Sequence, residues 1–142
     1  MHKVFIDGAH GTTGLRINEY LAERPDIQIL EIDPEKRKDT DARIDMIKKA
    51  DVSILCLPDQ ASREIAAAAP KDSVIIDTST AHRTDPDWTY GMPELTADQR
   101  DKIRSSTRIA NPGCHASGFI LLVRPLIDAG LLDTDGHDAA EE

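Results

Sequence analysis

A glycine-rich turn near the start of the chain constrains the fold more than any other feature of the sequence. Gly8, Gly11 and Gly14 are spaced G-x-x-G-x-x-G, directly after a predicted strand at residues 3–7 and directly before a helical pattern. In a strand–turn–helix unit, one such glycine permits the tight turn, one lets the backbone approach a pyrophosphate, and one lets helix and strand pack closely. The motif therefore predicts nucleotide binding at this turn.

The helix that follows the turn supports the same prediction. Its first N–H groups have no partner within the helix and face a bound phosphate, and Thr12 and Thr13 add hydroxyl donors there. The alternative is a glycine-rich turn that binds nothing, but the strand–turn–helix setting favours a nucleotide.

Short apolar runs alternate with helical patterns along the rest of the chain. Strands are predicted at residues 3–7, 27–32, 52–57, 73–79 and 108–110, helices at 14–24, 41–50, 61–69, 97–105 and 113–129, and a long loop at 80–95. Asp59 is predicted to cap the third helix. This alternation indicates an α/β fold, a doubly wound Rossmann-type parallel sheet with helices on both faces. The domain is expected to span residues 1–133, with a disordered acidic tail at 134–142.

Composition narrows the classes of function. The net charge is −9 and no basic stripe offsets it, which argues against nucleic acid or an anionic membrane as the main partner. Cys56 and Cys114 are predicted to be reduced thiols of a cytoplasmic protein, because no secretory signal is evident. Cys56 lies within an apolar strand and is predicted to belong to the core. The histidines lack metal-ligand spacing, so no metal site is predicted.

The segment after the second strand bears on the choice of cofactor. An acidic residue at this place holds the ribose of NAD, whereas a basic residue accommodates the additional phosphate of NADP. Asp33 favours NAD, and the adjacent run Lys36, Arg37 and Lys38 favours NADP. The run is also consistent with a solvated charged loop. These residues alone leave the choice open.

A thiol follows a Pro-Gly turn in the sequence NPGC, residues 111–114. As one of the first residues of the last helix, Cys114 would face unpaired N–H groups and the positive end of the helix dipole. Such an environment lowers the pKa of a thiol and makes it nucleophilic. The alternative is a buried structural cysteine. His115 is not expected to serve as its base, because the next helical position points about 100° away.

Polar side chains also follow the fourth strand, which ends at Asp77: they are Ser79, Thr80, His82 and Arg83. Hydroxyls and an arginine at the carboxyl edge of a sheet suit an anionic group. The alternative is a structural loop whose arginine caps a helix or pairs with Glu94.

The glycine motif, DTSTAHR, YGMPEL and NPGC occur in this order in one chain. Together they closely resemble the N-acetyl-gamma-glutamyl-phosphate reductases of the shorter, second type, and more widely the semialdehyde dehydrogenase superfamily. The resemblance covers roughly residues 3–133. It implies that Cys114 attacks an acyl phosphate, that phosphate leaves, and that NADPH reduces the resulting thioester to a semialdehyde. The resemblance also favours NADP over NAD as the cofactor.

The candidate site residues fall into three groups. Cofactor binding is assigned to Gly8, Gly11, Thr12, Thr13, Gly14, Arg37 and Ser79, catalysis to Cys114, and the substrate phosphate to Arg83 and Asn111. The expected partners are a small-molecule acyl phosphate and either further copies of the chain or the second domain of the family. Without that domain, the last helix is expected to expose Ile120, Leu121, Leu126 and Ile127. Two other functions stay open: a nucleotide-binding or interaction module without turnover, and a related aspartate-semialdehyde dehydrogenase.

Overall fold

A computed structural model describes residues 1–132 of the chain, so the predicted tail at 134–142 lies outside the described residues. The strands are β1 (His2–Asp7), β2 (Ile27–Leu30), β3 (Val52–Leu55), β4 (Ile75–Asp77), β5 (Thr89–Tyr90) and β6 (Arg108–Ala110). The helices are α1 (Thr12–Ala22), α2 (Thr40–Lys49), α3 (Asp59–Ala68), α4 (Gln99–Ser105) and α5 (Cys114–Asp128), with a short 3-10 helix at Pro34–Lys36. No helix within residues 1–132 is both long and apolar enough to cross a membrane.

The six strands form one parallel sheet in the order β2-β1-β3-β4-β6-β5. The chain adds β2 on one side of β1 and then crosses back to add β3 on the other side. Because parallel crossovers are right-handed, this reversal places α1 on one face of the sheet and α2 and α3 on the other. The predicted doubly wound Rossmann-type sheet is confirmed, and all its strands present their carboxyl ends at one edge.

The core lies between the central strands and the helices α2 and α3. Phe5, Leu55 and Ile75 contribute fully buried side chains from β1, β3 and β4, and Ile47 and Ile65 pack on them from α2 and α3. β1 is buried over four successive residues, whereas buried and half-buried residues alternate in β3 and β4. Parallel strands between layers of helices need apolar runs of this kind, which explains why these strands are evident in the sequence. The core therefore fixes the carboxyl edge on which the polar turns lie.

The structure corrects three local predictions. Asp59 does not cap α3: Pro58 is the N-cap, and the Asp59 carboxylate accepts hydrogen bonds from the Thr80 backbone N–H and hydroxyl instead. Cys56 lies just beyond the end of β3 and is only half-buried, so it is not part of the core. The predicted loop at 80–95 contains β5, a two-residue strand held by its pairing with β6.

Helix α5 lies loosely on the domain. None of its residues is fully buried, and Phe119 and Leu122 are 65% and 74% exposed. The exposure predicted for Leu121 and Leu126 is confirmed, whereas Ile120 and Ile127 are half-buried. The helix thus exposes several large apolar side chains along its length, and a group of such side chains marks a surface that another protein part covers.

We predict that Gly8→Ala lowers the free energy of unfolding by about 2 kcal/mol or more. Gly8 has a φ of 85°, and a Cβ there would lie 2.3 Å from the carbonyl oxygen of Cys56. The matched control is Gly118→Ala, in the exposed middle of α5, where no heavy atom lies within 4 Å of the added carbon. The control should raise helix stability by up to about 1 kcal/mol. Urea unfolding of both variants measures the difference, and equal stability of the two would contradict the steric argument.

Candidate active site

The turns that follow the central strands lie side by side along the carboxyl edge of the sheet. The Cys56 N–H donates to the Asp7 carbonyl over 2.8 Å, which joins the turn after β3 to the end of β1. The Asn111 N–H donates to the Asp77 carbonyl over 2.8 Å, which joins the cysteine turn to the end of β4. Main-chain hydrogen bonds thus bring the glycine turn, the loop after β4 and the cysteine turn onto one surface.

The glycine turn is packed too closely to hold side chains at two of its three glycines. A Cβ at Gly8 meets the Cys56 carbonyl, and a Cβ at Gly14 would lie 2.2 Å from the Gly8 carbonyl oxygen. Gly11 is different: it is exposed, it is the N-cap of α1, and its nearest neighbour would lie at an ordinary 3.5 Å. Space beside Gly11 is therefore open to a ligand, and the exposed Thr12 and Thr13 form the first turn of α1 next to it.

A cavity of about 380 Å³ lies between the glycine turn and the end of β2. Gly8, Gly11 and Ile32 line it, together with three cationic side chains, Arg37, Lys38 and Arg43, and two acidic ones, the buried Asp7 and the exposed Glu31. Asp33 does not line it, and its carboxylate caps the 3-10 helix by accepting from the Glu35 N–H. Of the two charge patterns that the sequence left open, the basic one faces the cavity.

Buried polar atoms on the cavity wall lack partners within the described part of the chain. Asp7 is 4% exposed, and its Oδ2 accepts no hydrogen bond, while Arg37 Nε donates none. Burial raises the pKa of Asp7, and the nearby Arg43 guanidinium, with Nε 3.2 Å from Asp7 Oδ1, only partly offsets this. A ligand with both donors and acceptors would satisfy these atoms, as the sugar and phosphate groups of a nucleotide do.

Cys114 is the first residue of α5, and its side chain is exposed to solvent. Gly113 is the N-cap, so the thiol lies at the end of the helix where N–H groups have no helical partner. Its Sγ is 3.5 Å from Nδ1 of His115. The expectation that His115 points away from the thiol is therefore wrong. That His115 does not serve as the base stays a prediction.

The polar cluster after β4 is organised around a buried carboxylate. Asp77 accepts hydrogen bonds from the hydroxyls of Ser62 and Ser79 and lies 2.7 Å from Nδ1 of His82. Burial acts to raise the pKa of Asp77, but these hydrogen bonds outweigh it and hold the pKa below its ordinary value. The Ser79 hydroxyl, a predicted cofactor contact, is thus engaged with the protein.

Arg83 joins this loop to the cysteine turn. Its Nε donates to the Asn111 carbonyl over 3.1 Å and its Nη2 to the Thr78 carbonyl over 3.3 Å. The guanidinium lies against Gly113, where an added Cβ would be 2.5 Å from Nη1. With these partners, Arg83 does not form the pair with Glu94 that the sequence left open within the described residues. Arg83 and Asn111, the two predicted phosphate residues, are brought together beside the cysteine.

Sequence reasoning missed Asp7 and Arg43 as site residues, and it named Lys38 only as part of the basic run that favours NADP. Arg43 lies on α2, far along the chain from the glycine turn, and only the packing of α2 against β1 brings it to Asp7. The available signal was a carboxylate directly after the buried apolar residues 4–6 of β1, since a charge in such a place needs a partner.

Residues 33–103 match the family described as semialdehyde dehydrogenase, NAD binding domain. The N-acetyl-gamma-glutamyl-phosphate reductase of Brucella suis (strain ATCC 23445 / NCTC 10510) is 53% identical over 135 residues, which cover 94% of this chain and 44% of that protein. The protein of the same name from Brucella ovis is 52% identical with the same coverage. The chain therefore spans less than half the length of these relatives.

Two solved structures share the fold. The aspartate semialdehyde dehydrogenase of Francisella tularensis has a TM-score of 0.64 at 17% identity, and the match covers 92% of this chain and 42% of that one. The enzyme of Candida albicans, solved with NADP, has a TM-score of 0.63 at 14% identity, and the match covers 93% and 48%. Identities this low show the fold alone. Because the family match spans half of its residues, the chain belongs to the semialdehyde dehydrogenase NAD-binding domain family.

Proposed function

We propose that the chain is the cofactor-binding part of an NADP-dependent reductase that converts N-acetyl-glutamyl 5-phosphate to N-acetyl-glutamate 5-semialdehyde. The observation that carries this proposal is the arrangement of one sheet edge. A cavity with three cationic side chains in its lining lies beside the glycine turn, and an exposed cysteine stands at the first position of a helix on the same edge. The 53% identity to an N-acetyl-gamma-glutamyl-phosphate reductase supports the choice of substrate.

NADP rather than NAD is the proposed cofactor. The glycine turn and the first turn of α1 would hold the pyrophosphate, and the cavity would hold the adenosine end. Arg37, Lys38 and Arg43 line that cavity, and their positive charge suits the additional phosphate of NADP. The unpartnered atoms of Asp7 and Arg37 are consistent with a polar occupant.

Cys114 is proposed as the nucleophile. Its sulfur attacks the acyl carbon, the bond from that carbon to the phosphate oxygen breaks, and inorganic phosphate leaves with the bonding electrons, so that a thioester remains. The N–H groups at the start of α5 are suited to stabilise the carbonyl oxygen during the attack. Arg83 and Asn111, which flank the cysteine, are assigned to the substrate phosphate. NADPH, when bound, supplies the hydride that reduces the thioester to the aldehyde.

We predict that Arg37→Ala weakens binding of NADP by about tenfold or more and changes binding of NAD by less than about threefold. The reason is that the guanidinium is proposed to bind only the additional phosphate, and such a charge-assisted contact is worth at least about 1.4 kcal/mol. Isothermal titration calorimetry on the 142-residue chain measures both constants. Lys36→Ala is the matched control, since it removes the same charge from an exposed side chain that does not line the cavity. Equal weakening of both cofactors by Arg37→Ala would contradict the assignment.

We predict that acetyl phosphate, a minimal acyl phosphate, acylates Cys114. Mass spectrometry of the digested chain should find the acetyl group on Cys114, none in Cys114→Ser, and an undiminished amount in Cys56→Ser. Burial raises the pKa of the half-buried Cys56 thiol, so Cys56 should stay unmodified.

The same measurement tests the competing function. A chain that binds NADP but gains no acetyl group would be a nucleotide-binding module without turnover. An aspartate-semialdehyde dehydrogenase is less well supported, because the likeness to those enzymes lies in the fold at 14–22% identity.

The apolar surface of α5 is proposed to bind the second half of a longer reductase. The relatives extend well beyond the part that this chain matches, and α5 is the last helix described here. Phe119, Leu121 and Leu122 would pack against that half. A fragment of the Brucella suis relative that begins after the matched region should therefore form a complex with this chain in size-exclusion chromatography.

We predict that Leu122→Glu abolishes this complex while leaving the unfolding free energy of the chain within about 0.5 kcal/mol, because the side chain is largely exposed. Leu15→Glu is the matched control, because it places the same charge at a half-exposed leucine of another helix, α1. A complex that withstands Leu122→Glu would rule out this surface.

A further inference from the structure

A buried histidine next to Arg83 is held from two sides. Nδ1 of His82 lies 2.7 Å from Oδ2 of Asp77, and the His82 ring stacks on Trp88 with centroids 3.9 Å apart and planes 12° apart. His82 is 5% exposed and Asp77 is fully buried. Because a carboxylate only accepts hydrogen bonds, Nδ1 carries the hydrogen. The direction of the ring is thus set by one hydrogen bond and one aromatic contact.

The carboxylate at the base of this cluster is itself held from a helix. The Ser62 hydroxyl of α3 donates to Oδ1 of Asp77 over 2.5 Å, and the Ser79 hydroxyl donates to Oδ2 over 2.7 Å. Ser62 is fully buried, so α3, β4 and the loop after β4 meet at this one group. Such a network leaves the backbone at His82 little freedom.

The backbone at His82 leads directly into Arg83, whose guanidinium spans to the cysteine turn. Arg83 donates to the Asn111 carbonyl and lies against Gly113, the residue before Cys114. A displacement of the loop at His82 would therefore move the guanidinium away from the turn that carries the thiol.

We propose that His82 is a positioning residue: held by Asp77 and Trp88, it fixes Arg83 against the cysteine turn and so orients the anion-binding side chains beside Cys114 for attack on an acyl phosphate. The inference rests on the proposed function, since it gives Arg83 a role toward the phosphate group. It assigns His82 no contact with substrate. It adds a chain of contacts from the buried Asp77, through His82 and Arg83, to the cysteine turn.

Two substitutions separate the contacts of His82. His82→Asn keeps a donor, because the amide nitrogen of Asn stands as far along the side chain as Nδ1, but it loses the stacking. His82→Phe keeps a ring against Trp88 but leaves Oδ2 of Asp77 without that donor. We expect His82→Phe to lower the rate of Cys114 acylation by acetyl phosphate about tenfold and His82→Asn to stay within about threefold of the parent chain. Alkylation of Cys114 by neutral iodoacetamide should change by less than about twofold in either variant, since it needs the thiol and not the arginine.

A double-variant comparison tests whether His82 acts through Arg83. If it does, His82→Phe combined with Arg83→Ala is no slower in acylation than Arg83→Ala alone. Losses that multiply, or a His82→Phe variant that is acylated at the parental rate, would overturn the proposal.

A second measurement does not depend on acylation. Hydrogen exchange of the Asn111 amide, whose N–H donates to the Asp77 carbonyl, should become faster in His82→Phe and stay unchanged in His82→Asn. Should acetyl phosphate fail to acylate even the parent chain, the proposed function fails while hydrogen exchange still decides the positioning role. Unchanged exchange in His82→Phe would overturn that role.

Discussion

The whole carboxyl edge depends on one close approach of main chain to main chain. Gly8 turns with a positive φ directly against the carbonyl of Cys56, and Gly14 packs against the carbonyl of Gly8. This contact fixes the distance of the glycine turn and α1 from the neighbouring strand turn. Neighbouring turns then join it through backbone hydrogen bonds. A side chain at Gly8 or Gly14 would separate α1 from the sheet and widen the space in which a phosphate is expected to bind.

Local charge on this edge runs against the charge of the whole molecule. The chain carries a net charge of −9, yet three cationic side chains line the cavity, and Arg83 lies at the cysteine turn. Of the carboxylates along this edge, Asp7 is buried beside an arginine and Asp77 is buried among a histidine and hydroxyls, while Glu31 on the cavity wall is exposed to solvent. A small anion therefore meets positive charge at close range, because charges farther away than about 10 Å are largely screened by salt.

Much of the fold was predictable, and the reason is chemical. Strands covered on both faces need apolar runs such as that of β3, and the glycine spacing is required by the turn itself. β5 was missed because its two residues, Thr89 and Tyr90, have no pattern of their own and are held by pairing with β6. Asp59 is predicted to cap α3 because it lies at the start of that helix. Its carboxylate accepts a hydrogen bond from the Thr80 N–H of the next loop instead, and a helix-capping preference contains no information about that loop.

The sequence by itself determined the parallel sheet, the glycine turn and the placing of Cys114 at a helix start, because each follows from residues adjacent in the chain. Only the tertiary structure decided that Arg43 meets Asp7, that His82 is buried between Asp77 and Trp88, and that Arg83 reaches Gly113. These contacts join residues from separate elements. Their distances are set by how helices and loops pack on the sheet, and no spacing along the chain records that packing.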